Sequence, residues 1–268
     1  MKKRILTYAA SGVLAILWAS NANANGVLLT YAEDPGAEVS SLNNTSYITF
    51  NNLSAGAHQN VDWAGVGTYD NAYILNANQY GGAGGSGKYI VQSTSIGNPN
   101  QVPTTTLTLN TPSAYFGLWW SAGDPANKLS FFNGSTLVAS FTTASLVNVL
   151  PSSYKGNPTP VVPGQNDPNE KFAFFNVYGE AGATWDSIVF TNTGGSGFES
   201  DNHTTRVDAW GLQPGESGAA PGIAVVHVNG TTITSAVVAV PETSTWVMGF
   251  LALGAVVFMV RRNAKLTA

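Results

Sequence analysis

The sequence contains no cysteine, and only 10% of its 268 residues are charged. Soluble domains usually carry about 25% charged residues. The absence of cysteine excludes a disulfide framework and metal sites built from thiolates. Without disulfides, we expect a packed core to hold the fold together.

Basic residues are scarcest between the two ends of the chain. Residues 25–239 carry five bases and fourteen acids, for a net charge of −9. Nucleic acids and anionic lipids are bound through clusters of Lys and Arg. The composition therefore predicts no nucleic-acid partner.

Helical periodicity is also missing from the middle of the chain. Gly, Asn, Ser and Thr are frequent there, and Pro or Gly recurs about every ten to fifteen residues, which is typical of short strands joined by turns. A body of about 215 residues can bury one core. We predict an all-β fold: residues 25–238 form one antiparallel β-sandwich of jelly-roll type.

The predicted strands follow from apolar and β-branched runs between turn residues. Two Asn-Gly pairs, Asn133-Gly134 and Asn229-Gly230, predict two-residue hairpin turns. Residues 154–170 contain four prolines and predict an exposed connection. The predicted strands are 27–31, 46–53, 72–76, 88–94, 105–109, 115–120, 129–132, 136–141, 172–178, 187–191, 205–209, 223–228 and 231–237.

Both ends of the chain look like targeting segments. Residues 1–24 combine a basic start, an apolar stretch and the A-x-A site Ala22-Asn23-Ala24, which predicts a helical signal peptide cleaved by signal peptidase after Ala24. The alternative is a retained N-terminal helix. Residues 239–268 contain Val240-Pro241-Glu242, an uncharged apolar segment at 246–260, and then Arg261 and Arg262.

An apolar segment stopped by arginines predicts a transmembrane helix whose basic end stays in the cytoplasm. Fifteen residues of helix cover about 22 Å of a hydrocarbon core of about 30 Å, so the span is short. The order of box, helix and arginines resembles the PEP-CTERM sorting signal of bacterial surface proteins. Thr243 departs from that signal, which usually has a second proline there. An ordinary tail anchor is the alternative.

The resemblance implies export, insertion in the inner membrane through the C-terminal helix, and processing by an exosortase. The body resembles one subgroup of such proteins through four motifs. That resemblance implies a β-rich protein of the cell surface or extracellular matrix, associated with exopolysaccharide and without known catalytic residues. The motifs are FGLWWSAGD at 116–124, LSFFNG at 129–134, FFNV at 174–177 and FESDNH at 198–203.

Two candidate binding sites lie in these motifs. Trp119 and Trp120 must point to opposite faces of a strand, so one belongs to the core and the other is a candidate sugar-stacking platform. Glu199, Asp201 and Asn202 offer oxygen ligands for a candidate calcium site. The alternative is an Asx turn in which Asp201 and Asn202 bond their own backbone. We expect His203 at the surface.

Signatures of catalysis are weak. Gly82 to Lys88 has the glycine spacing of a phosphate loop, but Tyr89 stands where a Ser or Thr is needed and a strand follows where a helix is needed, so we predict a flexible turn. Acids suitable for a glycoside hydrolase are present at Glu180, Asp186, Glu199 and Asp201. We predict a non-enzymatic surface protein, with a carbohydrate-binding module and a glycoside hydrolase as alternatives.

Overall fold

The structure, a computed structural model, describes residues 26–94, 102–161, 168–194, 196–211, 216 and 220–235. The predicted signal peptide and the predicted sorting signal lie outside these residues. Within them, no helix has the length and apolar character needed to cross a membrane. The candidate residues outside the described ranges are Ala22, Ala24, Val240, Pro241, Glu242, Arg261 and Arg262.

Fourteen β-strands make up almost all of the regular structure described. A four-residue helix, α1 (Ala144–Val147), and two 3₁₀ turns at Ala83–Gly85 and Ser152–Tyr154 interrupt them. The strands are β1 (Val27–Tyr31), β2 (Ser46–Ile48), β3 (Gly56–Trp63), β4 (Gly67–Asn76), β5 (Lys88–Ser93), β6 (Thr104–Ser113), β7 (Tyr115–Ser121), β8 (Asn127–Asn133), β9 (Thr136–Thr142), β10 (Ala173–Gly179), β11 (Trp185–Asn192), β12 (Gly197–Arg206), β13 (Ile223–Asn229) and β14 (Thr232–Ser235).

All these strands belong to one antiparallel sheet. Its order is β14-β13-β1-β10-β7-β12-β5-β4-β6-β11-β8-β9, with β2 beside β12 and β3 beside β4. The far end of this path returns to its start, because Ser140 N on β9 donates to Gly230 O (2.6 Å) and Gly230 N donates to Val138 O (2.9 Å). The sheet is therefore barrel-like, with a seam between β9 and the β13–β14 turn.

The predicted fold class is confirmed at the level of an all-β, antiparallel protein. The two packed sheets of a jelly-roll sandwich are not evident, because the strands follow a single path around one interior. Composition and turn spacing report strand number and length. They carry no information on which strands pair across long distances, and that pairing separates a sandwich from a barrel-like sheet.

Alternation along the central strands sorts side chains between the interior and the outside of the sheet. On β7, Phe116, Leu118 and Trp120 join the main core, whereas Tyr115 and Trp119 lie in two smaller outer clusters. Aromatic rings fill much of the interior, as in the edge-to-face pair of Phe131 and Trp185, whose centroids are 4.9 Å apart. Full burial of one such side chain contributes about 1.5–3 kcal/mol.

Three loop segments, 32–45, 77–87 and 152–161, form an outer layer over the central strands. Ala32 and Ala83 pack against Trp119, and Leu42 packs with Tyr115. The sheet is thus covered on both sides here, which explains why the apolar run at 172–175 lies in a central strand, as its sequence predicts.

The proline-rich segment 154–170 differs from its prediction. Tyr154 and Asn157 are buried rather than exposed. The Tyr154 hydroxyl donates to the carbonyl oxygens of Ala32 (2.6 Å) and Glu33 (3.0 Å). The described part of this connection therefore belongs to the outer layer.

Both predicted hairpins are confirmed, but their turns sit one residue later. Asn133 pairs with Thr136, and Asn229 pairs with Thr232, so the asparagines are the last strand residues. Gly134 and Gly230 occupy the first central position with φ of 57°. A glycine with positive φ at that position is typical of a type II′ turn.

One strand, β3, escaped prediction entirely, and β4, β6 and β12 were predicted over half of their length or less. The eight-residue β3 was not predicted, because it is mostly polar and exposed. The predicted strand 205–209 catches only the end of β12, which starts at Gly197. Its ten residues are all buried although most are polar, so the apolar content of this segment is a poor guide to its burial.

Substitution Gly67→Ala should destabilise the fold. An added Cβ would lie 2.2 Å from the Thr108 carbonyl oxygen and 3.0 Å from the Leu109 Cα, and such backbone atoms cannot move aside cheaply. We expect the free energy of unfolding to fall by about 1–3 kcal/mol in urea denaturation. The control is Gly36→Ala, whose nearest neighbour is the flexible Asp34 side chain at 3.3 Å. Equal stability of the two variants would contradict the proposed contact.

Candidate functional site around the Gly197–Arg206 strand

Strand β12 carries most of the candidate residues and lies between β7 and β5. Its pairing with β7 shifts register between Asp201 and Thr204, and Asn202 has a φ of 49° inside this bulge. Before the bulge, Glu199 and Asp201 face the outer layer and Ser200 faces the interior. After it, His203 faces the interior as well.

His203 is fully buried, at 0% exposure, rather than at the surface as predicted. Its Nδ1 lies 2.9 Å from the Tyr69 hydroxyl and its Nε2 lies 2.8 Å from Ser200 Oγ. The ring stacks on Phe190 at 4.9 Å and meets the edge of Phe116. Burial lowers the pKa of His203 to about 3, so the imidazole stays neutral at ordinary pH.

The contact between Ser200 and His203 has the spacing of a nucleophile and its base. Both residues are completely buried among the aromatic side chains of the core, so neither atom is open to a substrate. The third member of the network is the Tyr69 hydroxyl, not a carboxylate. The arrangement satisfies the hydrogen bonding of three buried polar groups.

Asp201 and Asn202 bind the outer layer to the sheet. The Asp201 carboxylate accepts the backbone N–H of Ala83 (3.0 Å) and that of Asn202 (2.7 Å). The Asn202 side-chain amide donates to the Glu38 carbonyl oxygen (2.8 Å). Asp201 thus bonds the neighbouring backbone, as in the Asx interpretation, but inside a β-bulge rather than a turn.

Glu199 takes no part in the hydrogen bonds of Asp201 and Asn202 to the outer layer. Protein donors occupy both oxygens of Asp201, while Glu199 lines a different space. In the described ranges, no group of three or more His, Asp or Glu side chains is arranged to hold a metal ion.

Glu199 lies on the wall of an open cavity of about 390 Å³. Asp124 and Glu170 line the same cavity, and so does Tyr80. The Glu199 side chain is 5% exposed. Burial, together with the nearby carboxylates of Asp124 and Glu170, raises its pKa to about 8, although its own backbone N–H acts in the opposite direction.

Sequence reasoning missed three residues of this cavity. Glu170 was placed in the exposed connection, and Tyr80 and Asp124 were not singled out as site residues. They come from three loops that are far apart in sequence and meet only because β10, β7, β12 and β5 are consecutive in the sheet. No local spacing signals such a meeting.

The two candidate sugar-stacking tryptophans are both buried. Trp119 and Trp120 point to opposite faces, as predicted, but their exposures are 0% and 1%. Trp120 belongs to the main core, while Trp119 packs with Phe172 under the outer layer. Stacking on a sugar needs an exposed ring face, and the structure gives neither ring one.

The remaining candidate acids serve other contacts. Glu180 Oε2 lies 2.8 Å from His227 Nδ1, and Asp186 accepts the Gly134 N–H at 2.8 Å. The glycine-rich segment is a turn, as predicted, with positive φ at Gly82, Gly84, Gly85 and Gly87. It presents the Ala83 N–H to Asp201.

Glu199→Gln should flatten the pH dependence of stability. Between pH 4.5 and about 8 the unfolded chain releases the Glu199 proton while the folded chain keeps it. The free energy of unfolding therefore falls as pH rises through this window, by up to about 1.4 kcal/mol per pH unit. Urea denaturation at pH 5 and pH 8 should show a smaller difference for the variant.

Asp201 acts in the same direction between pH 3.8 and about 7, because burial raises its pKa against the hydrogen bonds from Asn202 and Ala83. The free energy of unfolding of Glu199→Gln should therefore still depend partly on pH. The matched control is Asp62→Asn on the exposed side of β3, which should keep the full dependence. An unchanged slope in Glu199→Gln would contradict the assignment.

Tyr69→Phe should remove the partner of His203 Nδ1 inside the core. A buried polar group left without its hydrogen bond costs about 1–3 kcal/mol, and we expect the free energy of unfolding to fall by that amount. The control is Tyr47→Phe on exposed β2, which should change stability little. If both variants were equally stable in urea titrations, the Tyr69–His203 contact would have no energetic weight.

Comparison with known proteins does not assign a function to any residue of this site. No protein-family model, curated protein or solved structure matches the chain. The functional interpretation therefore depends on the sequence of the two ends and on the contacts of β12 described above.

Proposed function

We propose that the chain is an exported, non-enzymatic protein of the cell surface or extracellular matrix, sorted by an exosortase and associated with exopolysaccharide. The observation that carries this proposal is the order of Val240-Pro241-Glu242, the apolar segment 246–260, and Arg261 and Arg262. Signal peptidase and exosortase are the processing partners, and the inner membrane holds the tail before processing.

The described body supports this proposal as cargo. It is a β-rich domain with its own aromatic core, and it needs no disulfide. Its last described strand, β14, is the terminal strand of the sheet order and ends at Ser235. The sorting box starts five positions further along the sequence.

A second candidate function, carbohydrate binding, is favoured by the cavity at Glu199 rather than by Trp119 and Trp120, because both tryptophans are buried.

The third candidate, a glycoside hydrolase, would need two carboxyl groups about 5 to 9.5 Å apart around a bound glycan. Release of reducing ends from an oligosaccharide by the protein, abolished in Glu199→Gln, would contradict the non-catalytic proposal.

Processing of the tail is tested in bacterial cells with and without exosortase. We expect a shorter, released or envelope-coupled protein in the first and a full-size, membrane-held protein in the second. Pro241→Ala should block the shortening by removing the rigid residue of the box, whereas Thr243→Pro should restore the second proline of the family signal and increase it. The same size and membrane location in both strains would contradict exosortase sorting.

A further inference from the structure

The Glu199 cavity has the size of a small-molecule site. Its volume of about 390 Å³ falls in the range of about 300–1,000 Å³ found for ligand pockets. Ala122 and Gly197 contribute little bulk to its lining, which also includes Tyr80, Asp124, Glu170, Ser196 and Glu199. A cavity of this volume is far larger than a single metal ion requires.

Glu199 is a buried carboxyl group without a cationic partner. Glu199 belongs neither to the Arg206–Glu216 ion pair nor to the His227–Glu180 ion pair of the described residues. The charges that act on it are those of Asp124 and Glu170, which are also acidic. The nearby Lys171 directs its Nζ to the carbonyl oxygens of Leu150 and Pro151.

Burying a carboxyl group among other carboxyl groups is unfavourable unless a positive charge joins them. Glu199 bears that cost in the free protein, and its raised pKa follows from it. A ligand with an ammonium group would offset this free-energy cost, because charge-assisted hydrogen bonds to carboxylates are among the strongest in proteins.

Tyr80 adds an aromatic surface to this charge. Its side chain is 41% exposed, and its backbone is held by the bond from Tyr80 N to Asn78 Oδ1 (2.8 Å). Asn78 Oδ1 also accepts the Tyr89 hydroxyl (3.1 Å), which ties this loop to β5. Tyr80 is thus an exposed aromatic residue on a loop tied to β5, and exposed tyrosine rings can stack on sugar rings and attract cations.

We propose that the Glu199 cavity binds a cationic amino sugar, a hexosamine unit with a free ammonium group, within an extracellular polysaccharide. Asp124, Glu170 and Glu199 receive the ammonium and hydroxyl groups, and Tyr80 stacks on the ring. This inference rests on the polysaccharide association proposed above and names its ligand class. It is independent of how the tail is processed.

The test is isothermal titration calorimetry of the full-length chain, purified in mild detergent, with three probes. The probes are a glucosamine hexasaccharide, the N-acetylglucosamine hexasaccharide and a lysine hexapeptide. We expect the glucosamine oligomer to bind at least about tenfold more tightly than the acetylated one, the loss of one charge-assisted contact being worth about that factor. Tighter binding of the lysine peptide would overturn the proposal in favour of a basic peptide partner.

Variants localise the binding. Asp124→Asn and Tyr80→Ala should each weaken binding of the glucosamine oligomer by about tenfold, while Asp186→Asn, whose carboxylate faces the β8–β9 turn, should leave it unchanged. Melting curves show whether each variant is folded. No binding of any probe by the folded wild-type chain, or equal binding by all three variants, would overturn the proposal, whereas exosortase sorting is judged in cells and would stand.

Discussion

A strand rich in polar residues runs through the most buried part of this protein, and each of its polar groups needs a partner there. On β12, His203 is satisfied by Tyr69 and Ser200. Thr205 donates to Ser113 Oγ and to the Tyr115 carbonyl oxygen. The bonds to Tyr69, Ser113 and Tyr115 join β12 to other strands, and a register shift of one residue in β12 would break these three together.

The outer layer depends on the same strand. Asp201 receives the Ala83 N–H and Asn202 reaches the Glu38 carbonyl oxygen, so two separate loops are fastened to one bulge. Arg206, at the end of the strand, forms a buried ion pair with Glu216 and donates to the Asp208 and Ala209 carbonyl oxygens. Glu199 differs from these groups, because it faces a cavity and has no such tie.

The sequence was a good guide to strands with apolar residues on at least one face and to the glycines at hairpin turns. It predicted β1, β7 and β10 closely, because Val27–Tyr31, Tyr115–Ser121 and Ala173–Gly179 are rich in large apolar side chains. The sequence did not predict most of β12, because its residues are largely polar. Their burial is possible because other strands and loops supply hydrogen-bond partners. The cavity was hidden for the same reason, since Tyr80, Asp124 and Glu170 meet Glu199 only through strand order.

The seam of the sheet has a mechanical consequence. Two backbone hydrogen bonds join β9 to Gly230, and β14 pairs only with β13. A pulling force applied to the chain beyond Ser235 would act on the open end of the β13–β14 hairpin. It would break the hydrogen bonds between these two strands one after another, rather than shearing many at once. The β13–β14 hairpin would therefore unfold first under force, and the aromatic core would remain folded.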